Sequence, residues 1–304
     1  MRETLYLFKR NILLYFRDYT AVFFSLLSMM IVLALMVIFL GNMNSENVVY
    51  ALEQFGGVRD TAADKANADY LIQMWTLAGI LVVNTVTVTL TVTGKMVEDE
   101  TSHKLVSFYV APVERIKIAL GYIGSAWSAG FLMSLFTLAA GEVYMALCSH
   151  PLLSAGSLWE LVGMILLNAF VYAALSYLFA LFVHSNSAWG GLQTVVGTLV
   201  GFVGAIYLPV SMLPDSVMKV LKCLPVLHGT AVMREICIRD ALDITFFGLP
   251  EVAKDIFKEK MGVTVMIGEG KAELWQQVLF LFGYGIIAVA ASAVIMKKRR
   301  LRDR

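Results

Sequence analysis

The chain has 304 residues, of which 59% are hydrophobic and 15% charged, with a net charge of +1. Soluble domains lie nearer half apolar and a quarter charged, so composition excludes an ordinary soluble globule and points to a polytopic membrane protein. The near-zero charge gives no footing to nucleic-acid binding.

Apolar residues come in runs of about twenty, the length at which a helix crosses a hydrocarbon core of about 30 Å. Residues 1–19 place Leu5, Phe8, Ile12, Tyr15, Phe16 and Tyr19 at three- and four-residue steps, with Lys9, Arg10 and Arg17 elsewhere. This predicts an amphipathic helix in the headgroup region, or a cytoplasmic extension of the first span. The charge before the first apolar run resembles a signal peptide. The run is too long and lacks a small-x-small site, so a retained helix is expected.

The first span is predicted at 20–40. A polar stretch, 41–69, follows, with five acids and the bases Arg59 and Lys65. The second span is predicted at 70–93. Its VNTVTVTLTVT alternates with period two, the local signature of a strand. A lone strand in lipid leaves its backbone unpaired, so a helix is expected. Wound helically, Asn84, Thr87 and Thr91 share one face and Thr85, Thr89 and Thr93 another. The first face could line a translocation path. Alternatively, the hydroxyls bond to the preceding turn or to a neighbouring helix.

Residues 97–117 form a charged island. The third, fourth and fifth spans are predicted at 118–147, 158–183 and 188–208. In the fifth, Gly197 and Gly201 make a GxxxG pair suited to a dimer contact or to packing within one subunit. Residues 209–273 hold no spanning run and are broken by Pro209, Pro214, Pro225 and Pro250. Two short helices are expected there, at 215–223 and 229–241, with Glu235 and Arg239 as an i,i+4 pair on a solvated face. The sixth span is predicted at 274–296, followed by KKRRLRDR.

Placing the amino end inside puts fourteen Lys and Arg in the inward segments, against two in the first outer loop and eight in the long segment 209–273, which count for little because long segments translocate largely regardless of charge. Both termini are therefore expected in the cytoplasm, with the basic tail near anionic lipid. Cys148, Cys223 and Cys237 fit no metal spacing. Cys223 and Cys237 would face outward, as a disulfide or as free thiols.

The island reads as a short helix parallel to the membrane, capped by Asp99 or Thr101, greasy at Leu105, Val106, Phe108 and Tyr109, and ended by Pro112. A push on it would reach both adjoining spans. Its order is Glu98, Asp99, Glu100, Thr101, then Leu105 to Tyr109, then Ala111, Pro112, Val113 and Arg115. After the fifth span come Leu213-Pro214, Pro225 and Arg234. Together these resemble the permease subunits of type-2 ATP-binding-cassette exporters of polysaccharides and drugs, and the resemblance spans essentially the whole chain. Two departures concern the entry Glu100-Thr101-Ser102-His103 and the Leu224-Pro225 pair; both bear on substrate subclass.

The resemblance implies one all-α permease domain over 1–304. It has six spans, an interfacial amino-terminal helix, a cytoplasmic coupling helix between spans 2 and 3, and re-entrant helices before span 6. It implies that Glu98, Asp99, Glu100, Thr101, His103, Lys104 and Phe108 contact a separate ATPase subunit. That partner would bind ATP and Mg, two copies of each chain would assemble in the cell membrane, and an amphipathic cargo would move outward. The chain itself lacks an ATP site: Gly94-Lys95-Met96 has Thr89 where a phosphate loop needs its first Gly, and Met96 where it needs Ser or Thr. No HExxH or GxSxG occurs, and Glu142, Glu160 and His150 sit near span ends or in loops. An intramembrane enzyme is thus disfavoured. A non-transporting anchor or sensor, reading a ligand through its outer segments, is the alternative.

Overall fold

The computed structural model describes residues 2–35, 42–54, 61–110, 113–204, 209–267 and 270–298. Four of its helices are long and apolar enough to cross a membrane. They are α4 (Thr61–Thr101), α6 (Arg115–Leu147), α7 (Ala155–Ala180) and α13 (Leu274–Lys298). Four of the six predicted spans are thus matched. The first span corresponds to α2 (Tyr19–Leu35) and the fifth to α8 (Asn186–Val203). Their predicted ends at 36–40 and 205–208 lie outside the described residues, as does the tail from 299.

The centre of the bundle is α4, which packs against α6, α7 and α8. Its most apolar window is 83% buried, against 22% for that of α13. At 41 residues α4 is about 60 Å long, twice a hydrocarbon core, so it projects past the bilayer at both ends. The Val-Thr alternation is helical throughout, as the lipid argument requires. Thr85 donates to Leu81 O at 2.6 Å and meets Ser134 Oγ of α6 at 2.8 Å. Asn84 Nδ2 donates to Thr137 Oγ1 at 2.8 Å. Such interhelical bonds contribute about 0.6 kcal/mol each on average. Large apolar side chains face outward instead on α6 and α13, among them Leu132, Phe136, Phe282 and Ile287. In water that surface would drive aggregation; against acyl chains it is matched.

Three expectations need correction. The polar stretch 41–69 is not simply a loop: α3 (Asn42–Gln54) buries Val48 and Leu52, and α4 begins at Thr61. Residues 55–60 of that stretch, including Arg59, lie outside the described residues. The amino-terminal α1 (Arg2–Arg17) buries Leu7, Asn11 and Tyr15 against the protein, while Leu5 and Tyr19 are exposed. Its predicted stripe is rotated because α6 supplies the covering surface, which the spacing within α1 cannot reveal.

The segment 209–273 holds more structure than two short helices. It contains α9 (Asp215–Leu221), α10 (Pro225–Cys237), α11 (Arg239–Thr245), α12 (Glu251–Lys260) and a small hairpin pairing Met266–Ile267 with Gly270–Lys271. Pro225 starts α10 rather than stopping a helix, since the first helical residue needs no N–H donor. Glu235 and Arg239 do not pair with each other. Lys258 donates to Glu235 at 2.7 Å, and Arg239 forks onto Glu160 at 3.2 and 2.7 Å. Cys148, Cys223 and Cys237 are all free thiols; Cys223 is exposed and Cys237 buried.

Helix α10 is tucked into the bundle against α4, α7 and α13. The fully buried Arg234 stacks its guanidinium over Trp75, 4.0 Å from the ring centroid. Trp75 Nε1 and Arg234 Nη1 both donate to Met261 O, at 2.9 and 3.2 Å. The outer segment is thereby fastened to the central helix.

Candidate coupling site

The charged island folds as a corner at one end of the bundle. Its first half is the last turns of α4 rather than the start of a separate helix. A turn through Ser102 and His103 follows, and α5 (Lys104–Val110) runs from it. His103 makes the turn in the left-handed region, φ 58°, which His tolerates better than most residues. Thr101 and Ser102 hydroxyls donate back to Glu98 O at 3.0 and 2.7 Å, closing the end of α4. Neither Asp99 nor Thr101 caps α5, because both lie inside α4. The predicted stop at Ala111 and Pro112 lies outside the described residues.

The corner is tied to four other parts of the chain. Arg10 of α1 grips Asp99 with two bonds of 2.6 and 2.7 Å, and Tyr122 of α6 donates to Asp99 at 2.6 Å. The Asp99 hydrogen bond holds Arg10 more firmly protonated than usual. Arg10 also lies 5.6 Å from the centroid of the Phe108 ring on α5. Glu100 meets His184 Nδ1, in the link between α7 and α8, at 3.2 Å. Lys95 bridges Glu98 at 3.0 Å and approaches Asp18, the cap of α2, at 3.9 Å. Next to Lys95, Gly94 carries Trp189 of α8: a Cβ there would lie 2.6 Å from the indole nitrogen.

The proposed contact residues therefore divide. Asp99 is 2% exposed and fully engaged within the chain, so it belongs to the frame and not to the surface. Glu98, Glu100, Thr101 and Phe108 are half-buried, and His103 and Lys104 are exposed. Sequence spacing missed Arg10, Tyr122 and His184 as parts of this site. The only sequence trace of Arg10 was its charge on an otherwise amphipathic helix. Between α1 and the α5–α6 corner lies a largely apolar groove of about 390 Å³, lined by Tyr6, Leu7, Phe108, Val113 and Ile118 with Arg10 at its edge.

The residues expected along a path are packed closely here. Asn84 is buried on Thr137. Thr87 and Thr91 are half-buried and bond to Asn84 O and Thr87 O at 3.1 and 2.9 Å. The Gly197 position faces Thr87, where a Cβ would lie 3.9 Å from the Thr87 methyl, and Gly201 is buried. Gly197 thus lies beside α4 within the chain. Glu142 is half-buried and accepts from Leu153 N at 3.1 Å, Glu160 pairs with Arg239, and His150 stacks on Tyr70 at 5.1 Å. Among the described residues no group of His, Cys, Asp and Glu could hold a metal ion.

The sequence model of one known family, described as ABC-2 family transporter protein, matches residues 57–294. The match takes in α4, the coupling corner and every later helix up to α13, and leaves out α1, α2 and α3. No curated protein matches the chain.

Proposed function

The chain belongs to the ABC-2 transporter family, and from that premise we propose that it is the permease subunit of an exporter driven through its coupling corner by a separate ATPase. The observation that carries this reading is the corner itself. A protruding turn, charged at Glu98, Glu100 and Lys104, is braced by Asp99 to α1 and α6 and by Glu100 to the α7–α8 link. A force applied there reaches several helices at once, as a rigid-body transition requires.

In this reading ATP and Mg bind to the partner, which meets the exposed His103 and Lys104 and the accessible parts of Glu98, Glu100, Thr101 and Phe108. Two permeases and two ATPases assemble in the cell membrane with both permease termini cytoplasmic. The basic end of the bundle, bearing Arg10, Lys95, Lys104, Arg115 and Lys117, then faces inward. The path follows the Asn84, Thr87 and Thr91 side of α4 and opens as α8 moves away. Cargo is amphipathic: a drug, a lipid-linked molecule or a peptide. The Gly197–Gly201 pair on α8 supplies close packing, against α4 within a subunit or against the second permease.

The test is co-purification. The permease should retain an ATPase subunit, and the double reversal Glu98→Lys, Glu100→Lys should release it while the protein still melts near the parent temperature. Retention of the ATPase and of ATP-driven transport by that variant would refute the corner as the coupling site.

A further inference from the structure

Asn168 and Tyr172 stand one turn apart at the middle of α7, 1% and 3% exposed. Both amide atoms of Asn168 and the Tyr172 hydroxyl lack a hydrogen-bond partner among the described residues. The polar groups between α4 and α6 behave differently: Asn84, Thr85, Ser134 and Thr137 are all bonded. An unmet buried polar group costs about 1–3 kcal/mol, so two adjacent side chains left this way ask for an explanation.

The explanation lies in what covers them. Gly229 of α10 presses its backbone onto the pair. A Cβ at Gly229 would collide with Asn168 Oδ1 and lie 3.1 Å from the Tyr172 hydroxyl. Glycine lets the helix approach so closely that no partner fits between α7 and α10. Yet α10 is a separate short helix, bounded by non-helical backbone at Leu224 and by the break at Ile238. Leaving α7 requires Arg234 to release Trp75 and the Met261 carbonyl, but it unwinds no span. Once it leaves, an amide and a phenol stand open at the mid-depth of the bundle.

We propose that Asn168 and Tyr172 form a hydrogen-bonding subsite for cargo, covered by α10 in this state and uncovered when α10 withdraws. The proposal rests on the export reading above. Asn168 offers one donor group and one acceptor, and the Tyr172 hydroxyl serves as either. The pair is uncharged. It therefore suits a neutral amide or hydroxyl on an otherwise apolar molecule, held where lipid-soluble cargo must pass. Covering the subsite with backbone rather than with a polar partner keeps it unsatisfied, so that cargo replaces nothing when it binds.

The experiment uses the permease with its co-purified ATPase in nanodiscs, the natural cysteines replaced by Ser. Asn168→Cys and Tyr172→Cys are each probed with N-ethylmaleimide. Labelling should speed up at least tenfold when Mg and ATP are added, whereas Ser134→Cys, buried between α4 and α6, stays unlabelled. Decanamide, a neutral amphipathic amide, should slow ATP-promoted labelling of Tyr172→Cys severalfold. Labelling that ignores ATP overturns the covered state, and labelling that ignores decanamide overturns the binding role. Independently, Asn168→Leu and Tyr172→Phe should melt at or above the parent temperature, since each removes an unmet group; a lower melting temperature marks a structural pair and ends the proposal. If no ATPase co-purifies, the export reading fails and the subsite falls with it. If coupling holds and Asn168→Cys stays protected, the subsite alone falls.

Discussion

Arg10 and Asp99, 89 residues apart, form a two-point ion pair that fastens the amino-terminal helix to the end of the central one. Asp99 also takes the Tyr122 hydroxyl, so a single carboxylate joins α1, α4 and α6. Arg10→Met would leave Asp99 buried with one neutral donor. Removing one partner of a buried pair costs about 3–5 kcal/mol. Arg10 retains 31% exposure, so about 2–3 kcal/mol is expected here. Unfolding in detergent measures it. The double variant Arg10→Met, Asp99→Leu should lose less than the sum of the two single changes, because no charge is then stranded.

Gly94 is the point where α8 bears on α4. In Gly94→Ala the new methyl meets Trp189, whose ring is 4% exposed and cannot swing clear. Overpacking of this kind costs about 1–3 kcal/mol. Melting temperatures should fall for Gly94→Ala and recover in part when Trp189→Leu is added. Equal stability of Gly94→Ala and parent would show that α8 gives way freely.

Trp75 supports both Arg234 and the Met261 carbonyl. Trp75→Leu removes the ring beneath a buried cation and one donor, at about 3 kcal/mol or more. Limited proteolysis should then cut within 246–262 far sooner than in the parent. Glu160→Gln, by contrast, disturbs an exposed pair and should change stability by less than about 1 kcal/mol.

His184 links Glu100 to the turn between α7 and α8 and is half-exposed. His184→Ala should leave ATPase co-purification intact while transport falls severalfold, so that more ATP is hydrolysed per molecule moved. Loss of the ATPase in this variant would instead make His184 part of the docking surface.

Asp255 is held below its ordinary carboxylate pKa by the hydrogen bond from Lys271, which pins the hairpin to α12. A lowered folded pKa means the stabilisation is present above the unfolded value of about 3.9 and is lost as pH falls through the folded one. Both side chains are more than half exposed, so the effect stays under about 0.5 kcal/mol. Asp255→Asn should exchange hairpin amides faster than the parent at pH 6. The two should converge as pH approaches 3.

Helices were legible wherever the signal was local. The runs at 118–147, 158–183 and 274–296 appear as α6, α7 and α13 with ends shifted by three residues or fewer. The Val-Thr stretch was legible only by adding the solvent: local propensity favours a strand, and lipid forbids one. The outer segment was read less well, because Pro214, Pro225 and Pro250, read as helix stops, each stand at a helix start, and sequence alone weighs the two uses alike.

By itself the sequence determined that this is a helical membrane chain with a charged corner between two apolar runs, and that it carries a family's order of residues there. Hydropathy and motif order are sums over neighbours in the chain, so the chain alone suffices for them. Only the tertiary structure decided that Asp99 is part of the frame while Glu98 and Glu100 are half-buried and Lys104 is exposed, and that Gly229 covers Asn168 and Tyr172. Four acids and hydroxyls in a row look equivalent until Arg10 and Tyr122 arrive from elsewhere. Burial and pairing are fixed by whatever distant segments bring to a position.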